Sequence, residues 1–133
     1  MASLIKTWPA GMDARKVLTI FSEKKPAFPN YYFTLGRGRP KQEVERLFFT
    51  YRGHILGHFD VREIVRNIPG TLPYLHRIDG GPSDWQIKPY NWVAVCDPPF
   101  HRLKDKVFHD GFRGFHYFDL DVYRNTPESR MAI

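Results

Sequence analysis

The chain is poor in cysteine, with one residue, Cys96, among 133. No internal disulfide can form, and a reducing compartment is implied. Within the apolar run WVAVC the thiol is expected to serve as a small buried hydrophobe. Long apolar runs are lacking too: none approaches the ~20 residues of a membrane span. The first residues, MASLIKTWPAG, are too short and too broken for a signal peptide. A soluble, cytoplasmic protein with no membrane partner is therefore expected. Internal repeats and low-complexity segments are also missing. The length suits a single domain over residues 1–133, able to bury a core without staples.

Catalytic and metal-binding signatures are equally scarce. The sequence has no G-x-S-x-G, no Walker motif, no H-E-x-x-H and no Cys–His pair in register. Its six histidines are His54, His58, His76, His101, His109 and His116. His54 and His58 share a strand face but stand about 13 Å apart at ~3.3 Å per residue. His101 and His109 fall about two turns apart on an expected helix. Ligands of one zinc must lie much closer, so no metal is expected, and no cofactor.

Acidic residues are outnumbered, 14 against 20 Lys and Arg, giving a net charge of +6 and a pI of about 9.6. The imbalance points to a polyanionic partner, most simply nucleic acid. Aromatic residues are plentiful at 16%, and 11 prolines with 10 glycines imply many turns and short elements.

The apolar pattern supports this division. VLTIF (17–21), YYFTL (31–35) and WVAVC (92–96) read as strands, the last one buried. ERLFFTY and HILGHFDVREI read as a hairpin across Arg52-Gly53. On its second strand Ile55, Gly57, Phe59 and Val61 are expected on one face, with Leu56, His58 and Asp60 on the other. Gly57 inside a strand predicts close approach of another backbone or a ligand, or a bend. PKQEVERLF suggests a helical turn. Over 97–111, Asp97 as N-cap, Pro98 in the first turn, Phe100, Leu103, Val107 and Phe108 at helical spacing, and Gly111 beyond the end predict a helix. GFHYFDLDVY (114–123) reads as a last strand and NTPESRMAI as a polar tail, while 66–84 look irregular. The fold class expected is α+β, a small mixed β-barrel with a few short flanking helices.

The order of parts carries a resemblance. LFFTYRGHILGHFDV, then a tryptophan-bearing stretch, then WQIKPYNWVAVCDPPF, resembles the PUA-like superfamily with its PUA, ASCH, EVE and YTH branches. The resemblance covers residues 44 to 123 and rests on pattern. It implies a pseudo-barrel whose cleft receives RNA or one base turned out of its stack. In the YTH and EVE branches an aromatic pocket holds a modified base, and Trp85 and Trp92 are the positions nearest to those aromatics. The ASCH branch carries G-x-K-x-x-E-x-R. Here Lys41 and Arg46 keep that spacing, Arg39 and Val44 replace the Gly and the Glu, and Glu45 stands one residue on. An ASCH-type hydrolytic site would need Lys41, Glu45 and a threonine, Thr34 or Thr50, to converge.

Candidate binding residues follow. Trp85 lies in an irregular stretch, where a large indole faces a cleft or lies under a loop. Trp92 opens an apolar strand, and core packing is expected of it. Around them Lys88 is a candidate phosphate contact, Asp84 a candidate acceptor for a base amino group, and Ser83 and Asn91 weaker polar contacts. In GRGRPK, Arg37, Arg39 and Lys41 cluster among glycines that let a backbone approach phosphate, with Lys24, Lys25 and Arg52 as possible extensions. Asp119 and Asp121 are expected on one side of a strand, balancing Arg113 and Arg124. Three functions are weighed: a nucleic-acid-binding domain, RNA before DNA; an ASCH-type hydrolase or ribonuclease acting on RNA or a modified nucleoside; and a protein-binding inhibitor of viral or mobile-element origin.

Overall fold

A computed structural model describes residues 2–8, 21, 31–69 and 88–130. They form a mostly β structure: β1 (Ala2–Thr7), β2 (Tyr31–Gly36), β3 (Val44–Tyr51), β4 (His54–Arg66), β5 (Trp92–Arg102) and β6 (Phe115–Tyr117), then a short helix α1 (Leu120–Arg124) and a 3-10 turn (Pro127–Arg130). The strands make one mixed sheet in the order β2-β5-β4-β3-β1-β6. Only β1 and β3 pair in parallel; the other neighbours are antiparallel. No helix among the described residues is long and apolar enough to cross a membrane.

The β3–β4 hairpin follows its turn chemistry. Arg52 and Gly53 both have positive φ, 49° and 82°. A two-residue turn of that hand matches the twist of the flanking strands. The alternation expected for β4 holds at Gly57, Phe59 and Val61, whose side of the strand faces the main core. It fails at Ile55. The register slips between Phe49 and Thr50, so a bulge at Leu56 turns Ile55 to the outer face, against Phe48 and Val107.

The main core is aromatic. Trp8, Phe21, Tyr31, Phe33, Phe49, Phe59 and Phe100 are all buried within it. The Phe33 and Phe49 rings lie 4.7 Å apart. Their strands are three places apart in the sheet, which on a flat sheet would be about 14 Å. The sheet is therefore strongly curled around this cluster. Cys96 lies wholly inside it, where burial pushes the thiol well above its usual range, Asp97 and Asp60 adding to the effect. The outer face carries a second cluster, Ile5, Phe48, Ile55 and Val107, roofed by Leu103, Phe112, Phe118, Leu120 and Tyr123.

The helix expected over 97–111 does not form; β5 runs on to Arg102. Phe100 is drawn into the main core against Phe59, with ring centroids 5.0 Å apart, whereas Leu103 and Val107 join the outer cluster. The apolar spacing thus serves two faces of a sheet instead of one stripe of a helix. Pro98 and Pro99 fall in a bulge, between the pairs Asp60–Asp97 and His58–His101, where no ladder donor is needed. Asp97 caps nothing and pairs with Arg62. PKQEVERLF gives no helical turn either, because β3 begins at Val44. The last strand is shorter than expected, since Asp119 caps α1 by accepting from the N–H groups of Asp121 and Val122 at 3.0 and 3.2 Å. The two aspartates therefore do not share a strand face. Part of the expected polar tail, Pro127–Arg130, is the 3-10 turn. Of the 17–21 run only Phe21 is among the described residues, and it is buried.

Candidate nucleic-acid interface

Strands β2, β4 and β5 end together where Trp92 pairs with Arg66 on one side and Gly36 on the other. Trp92 is half-buried: one part packs on the main core and the rest remains accessible. The core packing expected of it is thus half of its environment. Two guanidinium groups lie over its ring, Arg39 at 5.1 Å and Arg66 at 5.9 Å. Arg66 also lies 5.6 Å from the ring of Tyr90. Both arginines are exposed, as is Lys88. A planar cation over an indole is held by the ring quadrupole, worth about 0.5–1 kcal/mol at an exposed site.

Tyr90 owes its position to the preceding turn. Asn91 N–H donates to Lys88 C=O at 3.3 Å, with Pro89 second and Tyr90 third in the turn. Tyr90 has φ 67° and is 53% exposed. A positive φ at a bulky residue costs on the order of 1 kcal/mol and persists only where neighbours fix it. Here Tyr90 N–H donates to Asn67 C=O at 2.7 Å, and Arg66 Nε–H donates to Tyr90 C=O at 3.2 Å. The result is an aromatic ring held outward beside Trp92, with an arginine over both.

Asn91 lies beneath this surface. It is buried, and its side-chain N–H donates to Thr34 Oγ1 at 3.1 Å. That amide braces β2 against the turn. Thr34 Oγ1 also accepts from Gly36 N–H at 3.2 Å.

A groove of about 940 Å³ adjoins the array through Arg39. The pairing of β3 with β4 reaches no further than Arg46–Asp60. Beyond it, residues 39–45 and 61–64 face each other across the opening. Lys41 and Glu45 both line it, as do Glu43, Arg62 and Glu63, so its charge is mixed. The Lys41 end of the basic loop is fixed, since the N–H groups of Lys41 and Gln42 donate to the Tyr117 hydroxyl oxygen at 2.6 and 3.2 Å.

The sequence candidates divide accordingly. Arg39, Lys88 and Trp92 come together at one end of the sheet, and Arg37 is exposed next to Arg39 on the same loop. Lys41 and Glu45 meet at the groove, but neither threonine joins them. Thr50 is buried, five residues beyond Glu45 on β3, and its hydroxyl donates to His109 C=O at 2.9 Å. Thr34 is on β2, three places from β3 in the sheet. Arg52 occupies the hairpin turn at the far end of β3 and extends no common surface with Arg39. Ser83, Asp84, Trp85, Lys24, Lys25 and His76 lie outside the described residues.

Sequence reasoning missed two groups. Tyr90 and Arg66 had no motif to mark them; the signal available was a Pro-aromatic turn abutting a strand that opens with Trp. The other group is on the outer face of β4 and β5, where His58, Asp60 and His101 converge. The cluster joins two strands through the register pair His58–His101, and a helix over 97–111 would hold His101 away from β4. Burial lowers the His58 pKa to about 4, helped by His101 and Arg46 and opposed by Asp60. At neutral pH this imidazole is uncharged.

Comparison with protein-family models, curated proteins and solved structures finds no match to this chain.

Proposed function

We propose that the chain is a nucleic-acid-binding domain of PUA-like type, holding single-stranded RNA or an unstacked base at the Trp92–Tyr90 surface. The observation that carries this reading is the Arg39–Trp92–Arg66–Tyr90 array, in which two cations lie over two partly open aromatic rings. Bases stack on such rings or on guanidinium planes, and the same arginines neutralise phosphates. The net charge of +6 gives the reading its electrostatic support. The resemblance to PUA-like domains favours RNA over DNA and an extruded base over a duplex. The mostly β, curled sheet with a Gly57-x-Phe59-x-Val61 strand is compatible with that family.

The test is fluorescence anisotropy with single-stranded RNA and DNA oligonucleotides, modified and unmodified, at two salt concentrations. Binding is expected to weaken steeply with salt. Tyr90→Asn keeps a residue that tolerates the positive φ and removes the ring. It is expected to lower affinity about 5- to 150-fold, the range for one lost stacking partner, with Tm nearly unchanged. Affinity that is flat with salt, or equal for Tyr90→Asn, Trp92→Ala and the parent, would overturn the proposal.

The hydrolase reading keeps one observation in its favour, the shared groove of Lys41 and Glu45. The separation of Thr34 and Thr50 from that groove weighs against it.

A further inference from the structure

The middle of the outer face of β4 and β5 gathers three side chains with metal-ligating atoms. His58 and His101 are register partners on antiparallel strands, so their side chains leave the sheet together. Asp60 follows His58 on the same face, because Phe59 between them points into the core. His101 Nε2 lies 3.1 Å from one carboxylate oxygen of Asp60, and His58 Nε2 lies 3.6 Å from the other. One ligand atom from each residue falls within 4.8 Å of the other two.

We infer that His58, Asp60 and His101 form a binding site for a divalent first-row transition ion of the zinc class, with an open position facing solvent. Zn–N and Zn–O bonds of about 2.0–2.1 Å in tetrahedral geometry place ligand atoms about 3.3 Å apart. The His–Asp spacings, 3.1 Å to one carboxylate oxygen and 3.6 Å to the other, lie near that value, and the three ligand atoms, all within 4.8 Å of one another, would draw in by small side-chain rotations to reach it. Two imidazoles and one carboxylate suit zinc, cobalt, nickel, copper or iron, and do not suit magnesium or calcium, which take oxygen ligands.

The site is also held in place. The His58 ring lies between Phe48, 5.0 Å away by centroids, and the stacked ring of His101, 4.8 Å away. Its side chain is 19% exposed, against 46% for His101 and 56% for Asp60. One ligand is thus anchored by packing, and the two outer ones can adjust and leave a coordination position open to water. Gly57 makes the approach possible. A Cβ there would come within 2.1 Å of the His101 carbonyl oxygen and 2.9 Å of Arg102 Cα. Only a residue without a side chain lets β5 come this close beside His58. The site lies six to eight residues along β4 from Arg66, about 20–26 Å by strand rise, and is separate from the proposed nucleic-acid surface.

The test uses the full chain, stripped with chelator and titrated with Co²⁺ at neutral pH. One Co²⁺ per chain is expected, giving ligand-field absorption that Zn²⁺ abolishes and Mg²⁺ leaves intact. In imidazole ¹⁵N NMR with Zn²⁺, the Nε2 resonances of His58 and His101 should shift, and those of His116 should not. His101→Gln changes an exposed residue and is expected to fold. It should weaken Co²⁺ binding at least about tenfold, as even outer-shell losses do, and His58→Gln and Asp60→Asn should do the same. His116→Ala should bind as the parent does. Absence of the Co²⁺ spectrum in the parent, or equal binding by the folded His101→Gln variant, would overturn the inference.

Discussion

The two faces of β4 use one strand for opposite ends. Inward it presents Gly57, Phe59, Val61 and Ile64, apolar throughout, against the aromatic core. Outward it presents Ile55 and Val65 in small apolar clusters, His58 and Asp60 beside His101, and Arg62 paired with Asp97, while Arg66 at its end follows Ile64 on the inner side and lies over the ring of Trp92. The inner face tolerates no change of volume, because its neighbours are fixed on all sides. On the outer face Ile55 is buried in the second cluster, but Asp60 and Arg62 are exposed, so those side chains can be exchanged at small cost while the fold stays. The bulges keep the two faces apart. The register shifts at Leu56, at Arg62 and across Pro98-Pro99 set which residues fall on each face.

That contrast can be broken from the inside first. Phe59→Ala removes a ring that touches Phe21, Tyr31, Phe33, Phe49 and Phe100. It is expected to cost about 3–5 kcal/mol in denaturant unfolding. Gly57→Ala puts a Cβ against the β5 backbone at a φ of 146°. Overpacking there should cost about 3 kcal/mol, the upper end of its usual range. If either variant unfolded with the parent's midpoint, the inner face would not be the rigid side.

The outer face predicts smaller effects that depend on conditions. His58 has its pKa lowered from 6.5 to about 4 by burial. The unfolded chain therefore takes up a proton that the folded chain refuses. The folded state is at full advantage above pH 6.5 and loses it as pH falls toward 4. The loss is on the order of 3 kcal/mol at the acid end. His58→Gln should flatten that part of the Tm-versus-pH curve; an unchanged slope would place the acid sensitivity elsewhere. Smallest is Arg62→Ala, which removes a surface pair with Asp97. It should cost about 0–1 kcal/mol, less at high salt.

The inner face was the legible one. The hairpin was readable because Arg52-Gly53 sits between two β-type runs; a glycine inside a strand allowed close approach of a backbone or a ligand, or a bend, and the β5 backbone beside Gly57 decides among them. The strand 92–96 was readable as an apolar run, but its continuation was not. Pro98, Pro99 and the spacing of Phe100, Leu103 and Val107 fit a helix locally, and only the place of Phe100 beside Phe59 decides against it. The first strand, ASLIKT, carries little alternation and is a strand because β3 and β6 flank it. Of the interface, Trp92, Arg39 and Lys88 were legible from residue type and local setting. Tyr90 and Arg66 depend on a turn conformation. The His58–His101 pair depends on register, which emerges from whole-sheet packing and not from any one segment.

The placing of β1 has a consequence for how the sheet is assembled. It pairs Leu4 with Tyr117 on one side and with Leu47 on the other. Almost the whole described chain lies between the two halves of that first contact. A growing polypeptide can close the β3–β4 hairpin early, but the outer hydrogen bonds of β1 must wait for β6 to emerge. Contacts of such long sequence separation slow the search for the native state, typically into the millisecond-to-second range. Until then β1 is an open edge, and the nascent chain is at its most vulnerable to pairing with a neighbour.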